Sequence, residues 1–155
     1  MQAPQLNVLV IGYVWPEPKS SAAGSHMLSL LRLFKRQGWH VTFASPAQVT
    51  DHMTDLAEEG VDSLPITLND SSFDQSISAL QPDVVMFDRF MMEEQFGWRV
   101  EKNCPDALRI LDTEDLQCLR NARHHAAKQA REMQLSDQYS DLAKREIAAI
   151  YRSDL

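Results

Sequence analysis

"NVLVIGYVWPEPKSSAAGSHMLSLLRLFKRQGWHVTFAS", residues 7–45, holds one complete alternation of strand, loop, helix and strand. Residues 7–12 form a short, continuous apolar run, as expected of a strand covered on both faces. Met27, Leu28, Leu30, Leu31 and Phe34 then recur at helical spacing, with Arg32, Lys35 and Arg36 on the other side. Gly38 is placed to stop that helix in a left-handed conformation. The spacing predicts a helix over 26–36 and a second strand over 40–44, where β-branched and aromatic residues dominate. The link between the first strand and this helix is roughly twice the usual 2–6 residues. It carries Trp15, two prolines and a run of small residues.

The same alternation continues along the chain. A weaker helical pattern covers 48–59 before Gly60, and 63–68 reads as a third strand. Ser72 with Gln75 has capping-box spacing ahead of Ile77 and Leu80. Residues 83–88, behind Pro82, predict a buried strand, and Phe90, Met91, Phe96 and Val100 mark the helix after it, with Trp98 read as a core residue. Residues 108–112 predict a fifth strand, with Asp112 or Thr113 capping a long helix from about Glu114. The pattern fades over 124–139, read as a mobile helix or loop, and resumes at Leu142, Ile147, Ile150 and Tyr151. Strands alternating with helices in this way predict an α/β fold. The expected architecture is a Rossmann-like three-layer sandwich over residues 1–155, a single domain. Its mainly parallel sheet of about five strands has the order 3-2-1-4-5. Such sheets bind ligands outside the strands' carboxyl ends, where the order reverses. The opening loop and Asp88 with Arg89 fall there, and residues 112–115 lie one strand further out.

Composition narrows the chemistry. A chain of 155 residues, 44% hydrophobic, suits one domain with a sizeable core. A formal net charge of −7 and a pI near 5.1 argue against a nucleic-acid partner, whose binding starts from a basic surface. Two cysteines make no structural zinc site alone, and His124-His125 lacks a second ligand pair, so no metal site is read here. No stretch has the order of a signal peptide or the roughly 20 apolar residues of a spanning helix. A reduced, cytoplasmic setting is expected. The dinucleotide and P-loop glycine motifs are absent, and no cofactor is expected. The acidic positions of a phosphorylatable receiver are missing too.

The segments "VLVIGYVWPEP", "SAAGSHMLSLLRLFKRQGWHVTFAS", "PDVVMFDRF" and "LRILDTEDLQCLRNAR" together resemble the amino-terminal domain of GT-B fold glycosyltransferases, of the retaining family 4 class. The resemblance covers residues 7–123, and "REIAAIYRSDL" is similar to the segment that in such enzymes leads into a sixth strand. It implies an acceptor-side domain acting with a carboxyl-terminal domain that holds most of the nucleotide-sugar donor. The implied acceptor is a carbohydrate or a lipid-linked saccharide. The fragment alone is then expected to be inactive, because half a cleft cannot align donor and acceptor. The alternative is a stand-alone, noncatalytic Rossmann-like module that binds a small anionic ligand or a protein partner.

The candidate cleft residues are Gly12, Tyr13 and Trp15 after the first strand, then Ser21, Gly24, Ser25 and His26. Asp88, Arg89, Asp112, Glu114, Asp115 and Arg120 complete the set. Small residues in the loop let the main chain approach a ligand, and the amides opening the helix carry partial positive charge. Close packing of the helix is the competing reading. Asp88 and Asp112 either orient acceptor hydroxyls or cap helices. Glu114 stands where many relatives of the resembled class carry histidine, so an imidazole role does not transfer. Arg89 and Arg120 suit an acceptor phosphate or a salt bridge with Asp112 or Asp115. Trp15 suits a sugar ring or the second domain. The stripe of Arg32, Lys35 and Arg36 suits peripheral contact with anionic lipid at the inner membrane face, or simple solvation.

Overall fold

A computed structural model describes residues 4–155. The chain forms β1 (Asn7–Ile11), α1 (Ala22–Arg36), β2 (His40–Ser45), β3 (Asp62–Pro65), α2 (Ser72–Leu80) and β4 (Val84–Asp88). It continues through α3 (Phe90–Asn103), β5 (Leu108–Asp112), α4 (Gln117–Lys128) and α5 (Asp141–Arg152). The five strands lie in the order β3-β2-β1-β4-β5, and every neighbouring pair is parallel, as the sequence predicts.

Period-two alternation divides the core between two faces. Leu9, Ile11, Val85 and Phe87 pack with Phe73 and Ile77 of α2 and with Met92, Phe96 and Val100 of α3. Val8, Val10, Val41, Phe43 and Met86 point the other way, onto Met27 and Leu31 of α1. Asp88 follows Met86 by two residues and is the register partner of Asp112. Both aspartates therefore project toward the α1 face. No helix among the described residues is long and apolar enough to cross a membrane.

Several local expectations change. Helix α1 starts at Ala22, earlier than expected, because Ser21 caps it by accepting from the Gly24 amide at 3.0 Å. Residues 48–59 form turns instead of a helix. Asp55 there accepts from the Ala57 and Glu58 amides, offering the backbone an alternative to helical bonds. Only Leu56 of that segment is deeply buried. The third strand stops at Pro65, and Asn69, with φ 54°, turns the chain away. The Ser72 capping box does not form; Asp70 takes the Ser72 amide.

The long helix expected from Glu114 begins at Gln117, because Glu114 sits at φ 56° in the left-handed region. Residues 124–128 finish α4, and a 3-10 turn over Leu135–Gln138 is tied down by Arg131 on Asp137 at 2.7 Å. Trp98 is 53% exposed, contrary to the core reading, because α3 turns Phe96 and Val100 inward. Helix α5 buries Ala143, Glu146 and Ala149 and leaves Ile147, Ile150 and Tyr151 outside. Residues 154 and 155 lie along the free edge of β5, with the Asp154 amide donating to Arg109 and the Leu111 amide to Leu155.

Candidate functional site

The crevice has two parts that meet at Arg89. The first is the loop of residues 12–21. Gly12 donates to the Ala44 carbonyl at 2.8 Å, and a Cβ there would lie 2.1 Å from the Phe43 ring, so no side chain fits. Trp15 is 2% exposed; its indole packs 5.7 Å from the Phe43 centroid and donates to the Ala47 carbonyl at 2.9 Å. Most of the ring is thus core, and one edge lines a cavity of about 200 Å³ shared with Glu17, Ser21, Met27, Asp88 and Arg89. Gly24 lets the first turn of α1 approach the loop's own backbone, since a Cβ would meet the Glu17 carbonyl at 2.5 Å. Ser25 donates to the Pro18 carbonyl at 2.9 Å. The small residues of this loop thus close the helix onto the loop itself.

The second part is acidic. Asp88 is 5% exposed and receives a backbone hydrogen bond from Tyr13, yet its Oδ1 has no hydrogen-bond partner. Burial first, and the nearby Glu114 charge second, push its carboxyl up to about 7; Asp112 adds to the rise, and Arg89 and Tyr13 offset part of it. Asp112 accepts from the Glu114 amide through Oδ1 at 2.9 Å. Its buried Oδ2 has no hydrogen bond and lies 3.3 Å from His26 Nε2. Glu114 also has a buried, unpartnered oxygen, Oε1, while its Oε2 is 3.6 Å from the Arg89 guanidinium.

Arg89 is set among these carboxylates, with Nε 3.9 Å from Asp88 Oδ1. Its backbone, at φ 74° and ψ 152°, occupies a region costly for any residue but glycine. The Arg89 amide bonds the Asp112 carbonyl at 2.8 Å, and its guanidinium covers the Tyr13 ring at 5.3 Å. Strain of this kind persists only where the surroundings hold it, and here they aim the guanidinium into the crevice.

Arg120 pairs with Asp115 at 2.6 Å on the surface. Both line a wider cavity of about 440 Å³ with His26, Glu114 and Gln117. The candidate residues therefore gather at one sheet edge: Asp88, Arg89, Asp112, Glu114 and His26 at the centre, Asp115 and Arg120 at the rim, Tyr13 beneath Arg89. Ser21, Gly24 and Ser25 are occupied by the loop. Glu17 and Gln117 line the crevice without having been singled out, because nothing in their local sequence sets them apart. His26, Asp112 and Glu114 bring one ligand atom each to within 4.8 Å of the others, a grouping that no sequence spacing announces. The site can accept several hydroxyl hydrogen bonds and can hold positive charge. Comparison with protein families, with curated proteins and with solved structures finds no match to this chain.

Proposed function

We propose that the chain is the acceptor-side domain of a glycosyltransferase, working with a separate donor-binding domain to move a sugar from a nucleotide-sugar to a carbohydrate or lipid-linked acceptor. One observation carries the reading: Asp88, Asp112 and Glu114 stand together at the carboxyl ends of β4 and β5, beside the point where the strand order reverses, each with a buried oxygen that makes no hydrogen bond. A polyhydroxylated acceptor supplies many donors, and a carboxylate accepts two or more of them. Arg89 is placed to contact an acceptor phosphate or hydroxyl.

Peripheral lipid contact would fall to the stripe on α1. Arg32 there is held by Glu59 at 2.6 and 2.8 Å, and Lys35 donates to the Trp39 carbonyl, so the stripe would have to release those partners to bind lipid.

The test uses the longest natural open reading frame that contains these residues, assayed for glycosyl transfer from a panel of nucleotide-sugars to saccharide and lipid-linked acceptors. Transfer that falls at least about tenfold in kcat/KM for the acceptor in Asp112→Asn supports the reading. No transfer from any donor overturns it, and so does turnover by residues 1–155 alone.

A further inference from the structure

The crevice contains more negative charge than its neighbours neutralise. Two carboxyl groups, Asp88 and Glu114, face the Arg89 guanidinium and a third, Asp112, faces His26, and each of the three keeps a buried oxygen without a hydrogen bond. Buried polar atoms in folded proteins are nearly always satisfied, and exceptions call for a ligand or a functional role. Asp88 is the most enclosed of the three, at 5% exposure, and it lies beside Asp112 in register on the same face of the sheet.

His26 completes the set from the opposite element. It stands in the first turn and a half of α1, facing the end of β5, with Nε2 3.3 Å from Asp112 Oδ2. That spacing matches neighbouring ligands on one ion: metal bonds of about 2.1 Å place cis donors roughly 3.0–3.4 Å apart. His26 Nε2, an Asp112 oxygen and a Glu114 oxygen all lie within 4.8 Å of one another.

We propose that His26, Asp112 and Glu114 bind one divalent metal ion, with the neighbouring Asp88 carboxyl as the acceptor for a metal-bound water. One imidazole among carboxylates suits Mn²⁺, Fe²⁺, Co²⁺ or Zn²⁺ over the oxygen-only preferences of Mg²⁺ and Ca²⁺. The ion offsets the surplus negative charge and uses the orphaned oxygens. It opens onto the wider cavity lined by His26 and Glu114, where a hydroxyl or phosphate oxygen of a ligand can join its coordination. This site stands independently of sugar transfer.

The test is an electron paramagnetic resonance titration of the chelator-stripped protein with Mn²⁺ alone, which reads free ion directly. Saturable loss of the free-ion signal at one Mn²⁺ per chain is expected, with nitrogen modulation from the His26 imidazole in pulsed spectra. His26→Gln should abolish that modulation, and Glu114→Gln should weaken binding at least about tenfold. Asp141→Asn, at a side chain 96% exposed that does not line the crevice, should leave binding unchanged. Circular dichroism verifies that each variant is folded. The proposal is overturned if the wild-type protein leaves Mn²⁺ free through millimolar concentration. It is equally overturned if binding shows no nitrogen modulation, or if it survives both substitutions. The wild-type titration and spectrum decide the question even where a variant does not fold.

Discussion

Glu146 and Asp88 are both sealed inside the molecule, at 1% and 5% exposure, and the fold treats them in opposite ways. Glu146, on α5, accepts from the Gln117 and Cys118 amides at 2.9 and 2.8 Å. It thereby caps α4, whose own N-cap residue, Leu116, has no side chain able to do so. Glu93, 3% exposed on α3, is likewise met by Arg152, which approaches to 2.6 Å. Asp88, Asp112 and Glu114, by contrast, keep buried oxygens that accept no hydrogen bond. Where the fold needs an acid for its own integrity it supplies donors. At the crevice it leaves acid oxygens without donors.

The largest expected effect tests the satisfied side. Glu146→Ala should cost about 2–4 kcal/mol by urea unfolding, since it strips two charge-assisted hydrogen bonds from amides at a helix start. A cost under about 0.5 kcal/mol would break the contrast, because Glu146 would then be no better used than Asp88.

Asp88 should behave in the reverse sense. Its carboxyl is raised in the folded protein to about 7, above its ordinary range, mainly by burial. The folded state therefore binds a proton more tightly than the unfolded one. Stability from this group is full below about pH 4 and is lost as pH rises toward 7. In chelator-treated protein, Asp88→Asn should raise stability at pH 8 on the order of 2 kcal/mol and remove that part of the pH slope. Glu114, Arg89 and Asp112 face the same group, so the slope is measured against each variant's own baseline. Unchanged stability at pH 8 would place Asp88 among the satisfied acids.

Arg152→Ala is smaller. It leaves Glu93 buried without its cation, but Arg152 is 48% exposed and water can reach the gap, so about 1 kcal/mol is expected from thermal or urea unfolding. The finest test is Glu114→Gln, which removes the largest neighbouring charge that raises Asp88. Carbon-13 NMR of the Asp88 carboxyl should then titrate at lower pH, by roughly half a unit to one unit. A titration that does not move would separate Glu114 from the acidic corner.

The fold was legible to a large extent because its signals are local and repeated. Apolar runs such as 8–11 and 84–87 report strands buried on both faces, and the leucine spacing of α1 reports its inward side. Signals failed where a distant partner decided the matter. The start of α4 depends on Glu146 from another helix, so Asp112 and Thr113 looked like caps for a helix that begins later. Trp98 reads as core by residue type, but it lies on the outer side of α3, where the Arg99 guanidinium covers it at 4.4 Å. The apolar residues Ile147, Ile150 and Tyr151 reveal a helix but not that α5 would turn small residues and Glu146 inward.

The candidate site divides along the same line. Its location followed from the alternation of elements alone, because parallel strands in a 3-2-1-4-5 order place their carboxyl ends, and hence Asp88 and Asp112, at one edge. Which atoms meet there was decided only in three dimensions. Register set Asp88 beside Asp112, the left-handed turn at Glu114 folded its side chain back, and the packing of α1 carried His26 across to them. Periodicity is a property of neighbours along the chain and survives in the sequence. Convergence of charge depends on register, backbone twist and helix placement, which come into being only when the sheet and its covering helices pack.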